Sequence, residues 1–413
     1  MLNPMAFDHA KREALKRKAL QVLKQNQRYS GAFRYTLPSA EHYPYQWLWD
    51  SCFHAIIYAQ FDPEMARAEI SALLSKQFAD GMVPHIIYWT PGILHLFQWG
   101  VEGTSSLTQT PMLAYAVWEI HRRAPDIPFL ESVYPALLSY YKFLIEKRDI
   151  RGNHLIGIIN PDESGEDDSP RFDVPLGARS DISYEDHLKL RTKLVDDNRT
   201  CNFDAEKCMR NYFWVKDVLF NTVMVENLRS LGHIASLLKH EDGEHFANLN
   251  ANLIAEAMRE HMFEDGVYWS LAGEEYEKLH VATWMHFAPL FAGLYSKEEA
   301  EHVVRTHLKN TATFAAPFGI RTVSKQEASY RPQGYGHDFS WRGPVWMAPH
   351  WFIYRGLMRY GYVAEAEHIR DVSMELLLRS GFREYFDPET GEAGGAHEFT
   401  WGALVLDMFE PGR

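Results

Sequence analysis

The sequence predicts an all-α fold, a toroid of six helical hairpins, and three observations carry that expectation. Helical periodicity of 3.6 residues recurs along the chain, most cleanly from Pro128 to Lys147, where Leu130, Val133, Leu137, Leu138, Tyr141, Leu144 and Ile145 mark one face. Five antiparallel helix pairs can be drawn, joined by alternating short and long connections, and the first and last helices are left to pair with each other. No strand alternation supports a parallel sheet, and no fixed-period repeat supports an open solenoid. Nothing in the 413 residues reads as a linker, so the expectation is one domain, residues 1–413, with its long loops gathered at one mouth.

Taken in order, Asp8 to Gln25 places Leu15, Ala19, Val22 and Leu23 on one face of an amphipathic helix. Asp50 or Ser51 caps a helix to about Gln60, and a second follows the Phe61-Asp-Pro63 break to about Phe78. Gly81 to Gly103 carries Pro84, Pro91 and Gly92 among its aromatics and reads as a long loop of functional type. Helices are expected from Leu107 to Arg122 and from Pro128 to Lys147, then an acidic turn, then an irregular charged stretch over 171–212 that reads as a lid. Further helices fit Val215 to Leu238, Glu244 to Met262, Trp284 to Leu294 and Ser296 to Leu308. After irregular sequence from Asn310 to Arg342, Pro344 starts a helix to about Tyr360, Val363 to Arg379 forms another, and a last helix ends near Met408.

Composition narrows the function. The net charge of −13 argues against nucleic acid or an anionic membrane as partner, since both need a basic footprint. Aromatic residues make up 14% of the chain, and their flat faces suit the C–H faces of sugars, although most such rings serve as core. The three cysteines, Cys52, Cys201 and Cys208, include no CxxC pair, which predicts neither a disulfide framework nor a zinc site and points to the cytoplasm. The basic N-terminal segment lacks the apolar core of a signal peptide, and no apolar run approaches the ~20 residues of a membrane span. A homo-oligomer is compatible with all of this.

The acidic turn, Asn160-Pro-Asp-Glu-Ser-Gly-Glu-Asp-Asp-Ser-Pro170, is the stretch that packing explains least. Five carboxylates within seven residues repel one another, so a fixed loop must offset them with a ligand, a metal or work on protons. A plain solvated loop is the bland reading. A calcium loop fits poorly, because Asp167 falls where the turn glycine belongs and Asp173 where a bidentate Glu belongs. Pro161, Gly165 and Pro170 oppose the helix that a magnesium-diphosphate site would need. Proton work is the expectation.

In such a toroid the segments just before inner helices converge on the cavity. Gln46 to Asp50, Gln109, Gly165 to Asp168, Tyr335 to Trp346 and His397 to Trp401 all fall there, although each Trp among them also suits rim packing. Glu398, between His397 and Phe399, is expected to have a desolvated, raised pKa of the kind a proton-transfer residue needs.

The runs Gln-Trp-Leu-Trp-Asp (46–50), Glu-Ser-Gly-Glu-Asp-Asp-Ser-Pro (163–170), Ser-Trp-Arg-Gly-Pro-Val-Trp (340–346), and Tyr-Phe-Asp-Pro-Glu-Thr-Gly with Gly-Ala-His-Glu-Phe-Thr-Trp (385–401) resemble glycoside hydrolase family 63. Within it the chain is most similar to compact bacterial hydrolases of mannosylglycerate and glucosylglycerate. The resemblance spans about residues 30 to 410. It implies an (α/α)6 barrel and an inverting mechanism, with the general acid on Asp167 and the general base on Glu398. Glu166 and Asp168 flank the acid where relatives often carry a small or hydrophobic residue and Asn, so Asp168 stays open as an alternative. An inverting enzyme sets its two carboxyls about 6.5–9.5 Å apart, with room for a water. Candidate sugar contacts are Trp47, Trp49, Asp50, Tyr88, Gln109, Gly165, Tyr335, His337, Trp341, Arg342, Trp346 and Trp401. No metal or cofactor is required. A glycerate aglycone calls for a cation, for which Arg171, Arg199, Arg210 and Arg331 are candidates.

The leading function is thus an exo-acting α-glycoside hydrolase on a small 2-O-α-glycosylglycerate. Alternatives are an α-glucosidase on another small α-glucoside, a glycan-binding toroid without chemistry, and a metal-dependent cyclase or phosphohydrolase, which chelation would silence.

Overall fold

The computed structural model describes residues 4–89, 99–332 and 339–409. In chain order its helices are α1 (Pro4–Asn26), α2 (Leu48–Tyr58), α3 (Pro63–Leu74), α4 (Leu113–Arg123), α5 (Ile127–Arg148), α6 (Asp173–Leu176) and α7 (Tyr184–Thr200). They continue as α8 (Ala205–Asn211), α9 (Val218–Leu237), α10 (Glu241–Ala257), α11 (Ala288–Phe291), α12 (Lys297–Val303), α13 (Met347–Tyr360) and α14 (Val363–Ser380), and a 3-10 helix, Thr400–Leu406, follows.

Six of these segments form a closed inner ring. Contacts run from α2 to α4, α4 to α9, α9 to α11, α11 to α13, α13 to the terminal 3-10 helix, and from that helix back to α2. Outside them, α3 backs α2, α5 backs α4, α10 backs α9, α14 backs α13 and α1 backs the terminal 3-10 helix. This is the expected (α/α)6 barrel. The inner helix α2 has no solvent-facing side: all eleven of its residues are buried. One apolar cluster runs from Leu15 to Met408.

Local signals set the helix starts. Asp62 accepts the Met65 amide at 3.0 Å and Asp126 the Phe129 amide at 3.0 Å, with Pro63 and Pro128 in the first turns. The helix expected from Leu107 begins instead at Leu113, because Pro111 drives the residue before it out of the helical region. That freed segment is pinned to the acidic turn, where the Thr110 hydroxyl donates to the Ser164 carbonyl at 2.8 Å. The helix expected over Trp284 to Leu294 splits into a 3-10 turn, Trp284–His286, and the short α11. Pro289 supplies no amide there, and Gly293, at φ +66°, ends it. Short antiparallel hairpins sit at the loop ends, among them Arg383–Phe386 paired with Ala393–His397.

Two expectations are corrected outright. The stretch 171–212 is not irregular but carries α6, α7 and α8. The buried positions of α7 are His187, Arg191, Leu194, Val195 and Asn198, a helical stripe built largely of polar residues that an apolar count misses. Cys201 and Cys208 form a disulfide, Cα atoms 6.0 Å apart, because the tight turn between α7 and α8 brings them together despite a spacing unlike any redox motif. That removes the cysteine-based ground for a reducing compartment. Among the described residues no helix is long and apolar enough to cross a membrane.

The ring is locked where its ends meet. Asp407 is fully buried, accepts from Trp351 Nε1 at 2.7 Å and pairs with Arg123 and Arg355. Burial opposes its charge, yet Arg355 and Arg123 hold the carboxyl below its ordinary value. A lowered carboxyl pKa contributes stability that is present above the unfolded value of about 4 and is lost as pH falls through the native value. Asp407→Ala leaves Arg123 and Arg355 to share Glu119 as their remaining carboxylate and is expected to cost ~3 kcal/mol, read from the urea midpoint at neutral pH.

Candidate active site

Segments leading into the inner ring enclose a cavity of about 570 Å³ at one mouth. Trp47 and Trp49 come from the entry to α2, Gln109 from the segment before α4, Gly165 and Asp167 from the acidic turn, Trp341 and Trp346 from the entry to α13, and Trp401 from the terminal 3-10 helix. Its walls are aromatic. Trp341 and Trp346 stack with centroids 4.0 Å apart, and Trp49 meets Trp401 edge-on at 5.1 Å. Asp50 lies among them, accepts from Trp401 Nε1 at 2.6 Å, and has its pKa pushed up to about 6 by burial.

The acidic turn is a sorted set of carboxylates. Glu163 is wholly buried and accepts from both Arg148 terminal nitrogens at 2.8 and 2.6 Å. Asp168 accepts the Ser340 and Trp341 amides, each at 2.8 Å. Glu166 pairs with Arg171 and accepts from Trp284 Nε1 at 2.6 Å, behind the cavity wall. Asp162 accepts from Arg191 at 2.7 Å. Asp167 is left with its side chain about 35% exposed to the cavity, paired with the same Arg191. Its pKa is pushed up to about 7, first by burial, with Asp162 and Asp168 repelling and Arg191 opposing. Repulsion was expected to lead; desolvation leads instead.

Gly165 makes the turn possible. Its φ is +79°, and a Cβ there would lie 2.3 Å from the Trp49 ring.

Glu398 is the main correction. Its carboxylate is 45% exposed and pairs with Lys18 of α1 at 2.9 Å, and it does not line the cavity. Glu398 lies at a bend just past the hairpin strand, and its side chain turns to α1 while Phe399 packs inward. Its φ of +48° turns the carbonyl to Asn26 Nδ2 at 3.0 Å. Glu384, on the neighbouring hairpin strand, does enter, with Asp387 and Glu392 of the same hairpin also on the cavity wall. It accepts from Tyr43 Oη at 2.6 Å and from the Ala396 amide at 2.6 Å, and burial raises its pKa above the ordinary value. The signal for it was a lone carboxylate inside Phe382-Arg-Glu-Tyr-Phe386, a strand otherwise suited to burial.

Other expected contacts divide. Arg342 is fully buried off the cavity, donating to Asp173 at 2.9 and 2.6 Å, because the Asp168 loop needs that anchor. Tyr88 stands behind the wall, accepting from Trp99 Nε1 at 2.7 Å. Tyr335 and His337 lie outside the described residues. None of the four cation candidates reaches the cavity. Arg171 is held by Glu166 and Asp217, Arg199 by Asp196, Arg210 by Glu206 and Glu274, and Arg331 by the Ile182 and Ser180 carbonyls. Among the described residues, the arginines that line it are Arg191 and Arg383.

A cavity with Trp walls, a buried Asp in its floor and two separately held carboxyls is built to grip a sugar and move protons. Known proteins agree. The chain is 32% identical to a mannosylglycerate hydrolase of Thermus thermophilus, covering 94% of this chain and 98% of that one. It is 27% identical to a glucosylglycerate hydrolase of Mycolicibacterium hassiacum, covering 88% and 92%. The crystal structure of a GH63 mannosylglycerate hydrolase from Thermus thermophilus with Tris and D-glycerate superposes with a TM-score of 0.85 at 29% identity, over 96% of this chain and 99% of that one. The model of the mannosylglycerate hydrolase MGH1-like glycoside hydrolase domain matches residues 43–402, and the chain belongs to that family of glycoside hydrolases.

Proposed function

We propose that this protein hydrolyses small 2-O-α-glycosylglycerates, mannosylglycerate or glucosylglycerate, to the hexose and glycerate with inversion at the anomeric carbon. Asp167 is the general acid and Glu384 the general base. The observation that carries the assignment is that, of the acidic-turn carboxylates lining the cavity, Asp162, Asp167 and Asp168, Asp167 is the most exposed to it and has a raised pKa, while Glu384 enters from the hairpin strand with each oxygen fixed by one donor. Asp167 gives its proton to the glycosidic oxygen as the bond to the anomeric carbon breaks. Glu384 takes a proton from the water whose oxygen forms the new bond. Asp50 and the Trp walls hold the hexose. The names of the relatives support the glycerate aglycone, and the match to a structure holding D-glycerate supports it further.

The pH dependence follows from the signs. The acid must be protonated, so activity falls as pH rises through about 7. The base must be ionised, so activity falls again as pH drops through a value above the ordinary glutamate pKa. A bell-shaped kcat/KM profile is expected. The deciding experiment is a panel of α-glycosides scored by release of free hexose, with the first-formed anomer followed by NMR. A β-anomer from a glycosylglycerate supports the reading; an α-anomer, or inertness of both glycosylglycerates, rejects it.

A further inference from the structure

Arg191 presents a problem for the reading above, on which this inference rests. A guanidinium paired with a general acid favours the ionised form, the form that cannot donate. Yet the pairing is built in. Arg191 extends from the buried stripe of α7, bridges Asp162 and Asp167, and lines the cavity, and its Nε is buried without a hydrogen-bond partner among the described residues. Among the described residues, the groups facing Asp167 are Asp162 and Asp168 from its own turn, Arg191 from α7 and Tyr43 from the segment before α2. Next to Arg191 on α7, His187 is neutral, its pKa lowered to about 3 by burial, so it adds no second positive charge there.

Substrate connectivity supplies the resolution. In a 2-O-glycosylglycerate the carboxylate hangs on the same carbon as the glycosidic oxygen. Whatever protonates that oxygen therefore has the carboxylate beside it. Arg383, the other cavity arginine among the described residues, donates to the Gly395 carbonyl at 2.9 Å and, like Arg191, has a buried Nε without a hydrogen-bond partner among them, but the ion pair to Asp167 is made by Arg191.

We propose that the glycerate carboxylate displaces Asp167 from Arg191, so that the anionic aglycone itself converts the acid to its protonated form. Asp167 takes that proton from solvent as substrate binds and passes it to the glycosidic oxygen as the bond breaks. Product departure returns Asp167 to Arg191. In the empty enzyme Arg191 biases the acid toward its ionised form, and a neutral aglycone leaves that bias in place. The cavity thereby selects anionic aglycones through the rate of the chemical step as well as through binding.

The test compares two pH profiles on whichever glycosylglycerate is turned over. The basic limb of kcat, set by the complex, is expected about 1–3 pH units above that of kcat/KM, set by the free enzyme. In Arg191→Gln the limb of kcat/KM rises and the gap closes, a change that lost packing alone would not produce. Coincident limbs in the wild-type enzyme overturn the handoff and leave the hydrolase reading standing. Inertness of both glycosylglycerates overturns that reading and the handoff with it. Should Arg191→Gln fail to fold, calorimetric titration of the wild-type enzyme with D-glycerate at pH 7.5, in two buffers of different ionisation enthalpy, decides. Proton uptake on binding, absent with glycerol, supports the handoff, and its absence overturns it.

Discussion

Glu384→Ala is expected to lower kcat on a glycosylglycerate by ~10³-fold or more while thermal melting stays close to that of the parent, because the lost group acts on the attacking water. Tyr43 and the Ala396 amide would be left facing a small gap, with space for an exogenous anion. Added azide should then restore turnover and give a β-glycosyl azide, the anomer made by attack from the water's side. Glu398→Gln is the paired control. Its carboxylate touches Lys18 on the outer face, so activity near the parent level is expected. Full activity in Glu384→Ala, or collapse in Glu398→Gln, would return the base to the position first read from the sequence.

Asp167→Asn should show a loss that depends on the leaving group. Glycerate departs poorly as an alkoxide, so its release is expected to slow by ~10²–10⁴-fold. A dinitrophenyl α-glycoside or α-glycosyl fluoride needs no protonation on departure and should retain most of its parent rate. Asn still accepts from Arg191, so the cavity keeps its shape. A uniform loss across all leaving groups would mean that Asp167 shapes the site rather than donating to it. Asp168→Asn separates the neighbouring carboxylate: its oxygens hold the Ser340 and Trp341 amides, and its loss should raise KM and lower melting more than it changes leaving-group dependence.

The ring was legible because burial of an inner helix leaves a dense apolar record, and because Asp62-Pro63 and Asp126 with Pro128 announce starts by mechanisms that operate within one turn. The mouth was legible in part. Trp49, Asp50, Gln109, Gly165 and Trp401 sit just before or at inner segments, and the topology delivers them to the cavity. What escaped depends on which side of the backbone a residue faces. Glu384 and Glu398 both stand among aromatics; Glu384 sits at the irregularity in the hairpin register and turns inward, while Glu398 lies just past the paired strand, at φ +48°, and meets α1. Arg191 escaped for a related reason. Its helix buries charge and amide against the acidic turn, and an apolar period cannot register such a stripe. Arg342 was misread in the opposite sense, as a ligand when its task is to anchor Asp173.

The contact of α1 with the 3-10 helix Thr400–Leu406, and of that helix with α2, joins segments nearly four hundred residues apart in one circle. During synthesis, α2, α4 and α9 can leave the ribosome and pack as an open arc, but an arc exposes two raw apolar edges. The circle shuts only after residues 400–408 emerge, when Asp407 reaches Arg123 and Trp351. Trp401 arrives in that same stretch to meet Asp50, so the cavity floor is completed in the step that closes the ring.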